Sequence, residues 1–438
     1  MNNQKLTAAL LAAGALTCFP LAVHGQSTDS LLNKLVEKGV LTRSEAEELR
    51  KETVKGFDGA YRGKSGMPDW VTGLKFGGDF RPRYEGQSSD NPAAVQRDRF
   101  RLRLRLGATA TLRDNFEIGM RLMTGDSPSG FNTGNPLSGS TTFQDNGSRK
   151  GIFLDLAYAK WYALKGPDWS ANLTVGKMEN PFAFTYVVFD PDYNPEGLSG
   201  QLAYRLNEHH SLKFIAGGFA LDQLDASTRD PYLAAGQLLW DANWTERLQT
   251  SLGVGGLTIT SQEQLTSAAV PDINRGNTRI GGTGGPAGKF TPVVADASLT
   301  YNLESFPGYH GHFPVRLGGE YLYNPRVEEK NTAFLAGLTL GRAGKKGLWE
   351  LSYQFRYIGA ESWFEELPDD DFNAFYAADD VYRGGTNLRG HVIKASYSPF
   401  DSLTFNALYY LGELISNPNP GGSSSEASHV LVDFVWKF

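Results

Sequence analysis

Residues 97–106 read R-D-R-F-R-L-R-L-R-L, and this run constrains the fold more than any other. Arg99, Arg101, Arg103 and Arg105 share one side of a two-residue period, and Phe100, Leu102, Leu104 and Leu106 share the other. A β-strand sorts residues in this way, whereas a helix would spread both sets around its axis. The strand therefore divides an apolar medium from a wet, cationic one. Two media fit the leucines. One is the core of a soluble sandwich; the other is the lipid around a transmembrane barrel whose water-filled lumen takes the arginines.

The two ends of the chain and its composition weigh between them. Lys5, the apolar run 6–18, and the small residues Val23 and Gly25 read as a secretory signal peptide over 1–25, with Gln26 opening the mature chain. Cys18 is the single cysteine and leaves with that peptide, which excludes disulfides, thiolate metal sites and a cysteine nucleophile. No later stretch reaches the ~18 uninterrupted apolar residues of a membrane-spanning helix. The 50 glycines and 12% aromatics, set in short alternating runs, predict an all-β protein. A formal net charge of −6 argues against a nucleic-acid partner.

Residues 26–55 differ from the rest. Asp29 or Ser30 can cap a helix carrying Leu31, Leu32, Leu35 and Val36, with Gly39 as its stop. Thr42 and Glu45 form a capping box for a second helix, with Glu45, Glu47 and Glu48 early and Arg50 and Lys51 late. This periplasmic helical, coiled-coil-like hairpin has too little apolar surface to fold alone. It is expected to associate with copies of itself or with a periplasmic partner. Residues 56–70 read as a linker, and 71–438 as one barrel domain.

That domain divides into about sixteen strands, an even number as single-chain bacterial barrels use. The predicted spans are 72–85, 97–112, 115–124, 151–162, 171–180, 198–206, 211–220, 233–244, 247–260, 292–303, 314–324, 332–341, 347–360, 387–398, 402–412 and 429–438. The connections sort by length. Tight turns at 113–114, 207–210, 245–246, 342–346 and 399–401 alternate with longer polar loops near 86–96, 125–150, 181–197, 221–232, 261–291, 361–386 and 413–428. A meander with short turns at one rim and long loops at the other is the layout of an outer-membrane barrel. Trp70, Trp161, Trp169, Trp244, Trp349 and Trp436 all map near the short-turn rim, where an aromatic girdle would meet the membrane interface.

The chain ends H-V-L-V-D-F-V-W-K-F, with Phe434, Trp436 and Phe438 on its apolar face. Such a terminal aromatic strand resembles the signal read by the barrel-assembly machinery of Gram-negative outer membranes. Four segments together, L-L-N-K-L-V-E-K-G-V-L-T-R-S-E-A-E-E-L, R-D-R-F-R-L-R-L-R-L-G, V-G-K-M-E-N-P-F and N-P-E-G-L, resemble the bacterial putative-porin family. That family is in turn similar to the phosphate-selective type of anion porin. The resemblance implies a homotrimeric outer-membrane barrel, in contact with lipid and lipopolysaccharide, that passes small hydrophilic solutes by passive diffusion without a cofactor. No dedicated phosphate-binding lysine cluster matches.

With a barrel, energetics orient the arginine strand. One Arg facing lipid near the midplane costs roughly 2–4 kcal/mol, and four would cost on the order of ten. Arg99, Arg101, Arg103 and Arg105 are therefore expected to line the lumen, joined by Arg81 and Arg83 before them and Arg121 after them, as a basic wall that prefers anions. Loop 181–197 carries F-D-P-D-Y-N-P-E-G. If it folds inward and narrows the barrel, Asp190, Asp192 and Glu196 face that wall and focus the field across the passage. Asp190, Asp192 and Asn194 also have the spacing that opens a calcium loop, but Pro195 and Gln201 stand where such a loop needs Gly and Glu. No metal site is predicted. Loop 361–386, rich in Asp and Glu, is expected to be a solvated outer surface.

No G-x-S-x-G or H-E-x-x-H motif occurs, and the turn pairs His209–His210 and His310–His312 come with no nucleophile. No enzyme is predicted. The alternative function is a plugged structural barrel that tethers the outer membrane to the periplasm through the N-terminal helices.

Overall fold

A computed structural model describes residues 67–126, 137–225, 227–270 and 275–438. The signal peptide, the helical segment at 26–55 and the linker up to residue 66 lie outside the described residues. Chain contacts divide the molecule into units 1–69 and 70–438. The second is a closed antiparallel barrel of 16 strands.

The strands are β1 (Val71–Ser88), β2 (Arg97–Leu112), β3 (Phe116–Gly125), β4 (Gly151–Lys165), β5 (Trp169–Lys177), β6 (Glu196–Arg205), β7 (His210–Ala220) and β8 (Tyr232–Asn243). They continue as β9 (Leu248–Thr260), β10 (Val293–Leu303), β11 (Phe313–Tyr323), β12 (Thr332–Gly341), β13 (Trp349–Ile358), β14 (Leu388–Phe400), β15 (Leu403–Leu414) and β16 (Ala427–Lys437). Each pairs with its successor, and β1 pairs with β16 from Asp79↔Lys437 to Ser88↔Ser428. Closure leaves no open edge strand along the wall.

Alternation decides which side each residue takes. On β2, Phe100 and Leu106 are exposed on the outside while Arg101 and Arg103 are buried inside. Ile118, Met120, Val254, Leu299, Leu317 and Tyr353 continue the outer apolar face around the barrel. An apolar surface of this extent has no place in water, whereas a bilayer solvates it.

The loop sorting is observed as the sequence predicts. Tight connections lie at one rim, as at Arg113–Asn115, where Asp114 and Asn115 adopt φ of 61° and 65°. Asp and Asn tolerate this left-handed region because their short side chains bond the local backbone. In the turn between β6 and β7, Asn207 Oδ1 accepts the amides of His209 and His210. Trp70, Trp161, Trp169, Trp244 and Trp436 are exposed near this rim.

The opposite half of the lumen is not open water. Val187, Val188, Phe290, Trp363 and Phe372, all from loops, are fully buried against inward-facing Ile215, Leu233, Leu322 and Ile358. The connections after β5, β9 and β13 thus turn into the barrel and share a dry core with its inner wall. This corrects the expectation for loop 361–386. Its Glu365, Glu366 and Asp369 are buried, because Trp363, Phe364, Leu367 and Phe372 draw the segment inward and carry the acids with them. Residues 178–180 also leave the wall earlier than expected, since β5 ends at Lys177.

Candidate functional site

Arg81 and Arg83 of β1 and Arg99, Arg101, Arg103 and Arg105 of β2 project into the lumen, and each meets a carboxylate or hydroxyl. Register sets this up, for Arg99, Arg101, Arg103 and Arg105 oppose Glu85, Arg83, Arg81 and Asp79. Glu85 bonds both Arg99 and Arg101, the latter at 3.0 Å, and lies 3.4 Å from His429 Nε2. Asp79 bonds Arg103 at 3.1 Å and Arg105 at 2.5 Å. Arg83 makes two hydrogen bonds to Asp433, of 2.7 and 3.0 Å, and lies 3.5 Å from Asp371. Arg81 donates to Ser140 Oγ at 2.6 Å and sits 3.9 Å from Asp433. Arg121 bonds Asp155 and lies 2.7 Å from Glu179. The wall is a lattice of paired charge, and its expected basic excess is largely cancelled where it stands.

Loop 181–197 crosses this lumen, and its backbone explains how. The Ala183 amide donates to Gln237 of β8 at 2.8 Å, and the Thr185 amide and hydroxyl donate to Glu320 of β11 at 2.9 and 2.6 Å. Trp363 Nε1 donates to the Val188 carbonyl at 3.0 Å, which ties the loop to the one after β13. Asp192 then reaches Arg103 at 3.5 Å.

Its other two acids lie elsewhere. Asp190 faces Asp369 and Asp370 rather than arginines, with carboxylate oxygens of the three within 4.8 Å of one another. Glu196 opens β6, where it is exposed and bonds Lys177 at 2.8 Å. Asn194 donates to Asp155, so the residues of the calcium-like spacing serve different partners.

Burial pushes the Asp190 carboxyl well above the usual carboxylate range, and the neighbouring Asp369 and Asp192 charges add to this. Burial also raises Asp369, against the pull of Arg356, whose Nη1 lies 2.5 Å away. Arg356 in turn stacks on the Tyr186 ring at 4.4 Å. One guanidinium thus spans both inward loops. Asp371, Asp433, Ser140 and Gln237 went unassigned in the sequence. The first belongs to a loop read as external, Asp433 stands on the polar face of the alternating last strand with no local cue to its partner, and Ser140 and Gln237 are single polar residues with no local pattern.

Beneath the two loops lies a cavity of about 660 Å³. Arg81, Arg83, Arg103 and Arg105 line one side, and Arg316, Arg356 and Lys394 the other, with Asp192, Asp369 and Asp371 at the loop side. Opposed charges across a narrow passage orient dipolar solutes and focus the field on ions.

Residues 89–256 match the putative-porin family. The matched stretch runs from the first long loop into β9 and includes the arginine strand. No curated protein matches the sequence. Among solved structures, the high-pH structure of Pseudomonas putida OprB is similar at 10% identity and a TM-score of 0.50, over 84% of this chain and 94% of that one. Salmonella typhi OmpF, solved in complex with daunomycin, aligns at 9% identity and a TM-score of 0.46, over 83% of this chain and 97% of that one. At 10% identity the likeness to OprB speaks for the barrel fold alone.

Proposed function

We propose that this chain is an outer-membrane porin, a passive channel for small hydrophilic solutes and ions. The observation that carries the reading is a closed barrel, apolar outside, whose charged lumen holds a cavity beneath inward-folded loops. The family match over the arginine strand supports it. In this reading Arg81, Arg83, Arg99, Arg101, Arg103, Arg105 and Arg121 line the passage, and Asp192 narrows it opposite Arg103. The short-turn rim faces the periplasm, together with residues 26–55, and the long loops face outward. The protein acts as a channel and not as an enzyme, within outer-membrane lipid and lipopolysaccharide, and assembles as a trimer.

The test is conductance of the purified protein in planar bilayers. Discrete ohmic steps support the porin, and an electrically silent barrel that is demonstrably folded overturns it. Neutralising Arg101 and Arg103 to Gln should move the reversal potential toward cations, because it uncovers Glu85, Asp79 and Asp192. Unchanged selectivity would contradict the assignment of these residues to the passage.

A second reading, a plugged barrel acting as a tether, has one observation in its favour: the dry core of loop residues inside the wall. The same recording separates the two. Deleting residues 29–55 should leave conduction intact in a porin and abolish the phenotype of a tether.

A further inference from the structure

We propose that Arg316, rather than the arginine ladder, sets the charge preference of the channel by holding small oxyanions against the β11 wall. The proposal deepens the porin reading and rests on it. The argument is an account of charge around the cavity. Arg81, Arg83, Arg103, Arg105, Arg356 and Lys394 each have a carboxylate within 4 Å. A solute passing such a pair meets a dipole, whose field dies away faster than that of a lone charge.

Arg316 differs from all of these. It is exposed to the cavity and, among the described residues, makes neither an ion pair nor a side-chain hydrogen bond. The carboxylate that acts on it electrostatically is Asp296 on the adjacent strand β10. Asp296 pairs in register with Glu320, two inward steps from the Thr300 that opposes Arg316. Its carboxylate lies instead over Gly253 of β9, on the far side of β10 from Arg316: a Cβ built on Gly253 would stand 1.9 Å from Asp296 Oδ2. Glycine at 253 is what lets the acid turn that way, and Arg316 keeps an uncancelled charge.

Its neighbours suit an oxyanion. Register places Thr339 of β12 opposite Arg316, and Ser352 of β13 opposite Thr339. Both line the cavity, and neither hydroxyl has a side-chain hydrogen bond among the described residues. Strands about 4.8 Å apart put these three groups in one inward tier. A carboxylate or phosphate oxygen bound by the guanidinium can then accept from the hydroxyls as it moves along the tier. A mobile, singly anchored anion passes, whereas one clamped on several arginines would be held.

The experiment uses the full-length protein in planar bilayers under a potassium chloride gradient, with inorganic phosphate as the oxyanion probe. Arg316→Gln should lower the chloride-to-potassium permeability ratio by about twofold or more and weaken the reduction of chloride current by phosphate. Arg316→Lys keeps the charge and should keep the ratio. Arg389→Gln combined with Glu413→Gln removes a cancelled pair that does not line the cavity and should leave the ratio unchanged. An Arg316→Gln channel that conducts with the wild-type ratio overturns the proposal, as does an equal shift in the paired double variant. A folded wild type without conductance overturns the porin reading and this proposal with it, whereas the other two failures leave the porin standing.

Discussion

Glu85 is 2% exposed and receives Arg99, Arg101 and His429. Removing one member of a buried ion network leaves the others charged and unpaired, which costs about 3–5 kcal/mol. Glu85→Gln should therefore destabilise the barrel by that amount, read as a lowered denaturant midpoint in folded lipid or detergent samples. A loss below about 1 kcal/mol would mean that water reaches and screens the cluster. The orientation of the arginines was legible in ten residues of sequence, since a period of two admits one inward set and lipid forbids the other. The inward phase of Asp79, Glu85 and Asp155, which pair with five of them, is legible in the same way, but the distant partners are not. Asp433 and Asp371 reach Arg83 from 350 and 288 residues away, and no local spacing encodes that meeting.

The elements themselves were written plainly wherever one face met lipid. The predicted strands fall on the observed ones, with ends that move by a few residues, and the turns and loops sort as expected. The inward loops were hidden because an acid-rich stretch reads as solvated. What could have exposed loop 361–386 is its aromatic content: Trp363, Phe364, Phe372 and Phe375 alternate with the acids too irregularly for a strand and too densely for a solvated loop. That burial has a consequence in pH. Asp190, held against Asp369 and facing Asp192, Asp370 and Asp371, keeps its proton more tightly in the folded loop than in an unfolded chain. Its contribution to packing is therefore most favourable below the ordinary carboxylate value of 3.8, falls as pH climbs from there toward the raised value, and is at its least favourable above it. Asp190→Asn removes the charge that the site resists. At about pH 7 the variant should slow amide exchange over residues 186–192 and 363–371 relative to wild type. At about pH 3 the two should exchange alike, because both then present a neutral side chain. Equal protection at the higher pH would show that Arg356 already neutralises the pair.

For the whole molecule, the decisive event is closure of β1 on β16. Phe438 ends the chain against Gly78: the Gly78 amide donates to the Phe438 carbonyl at 2.9 Å, and the Phe438 amide returns a bond to the Gly78 carbonyl at 3.2 Å. A Cβ built on Gly78 would lie 2.1 Å from the Arg105 carbonyl oxygen and 2.9 Å from the Phe438 ring. The first contact is with backbone on β2 and cannot yield by a rotamer change. The seam thus needs glycine at this place for two reasons: the close approach of β2 on one side, and the terminal ring covering the gap on the other. Gly78→Val should consequently leave strands that form but a barrel that does not shut. The folded, heat-modifiable band in an unboiled gel should fall steeply against wild type while the boiled band is unchanged. Phe438→Ala keeps the backbone bonds and loses only the ring, so its loss of folded band should be the smaller of the two. If Gly78→Val folds as well as wild type, β1 and β2 can part by more than the wall's hydrogen bonds allow. The arginine tier would then no longer be held in the register that pairs it, because Arg105 lies in the same strand segment as the carbonyl that must move.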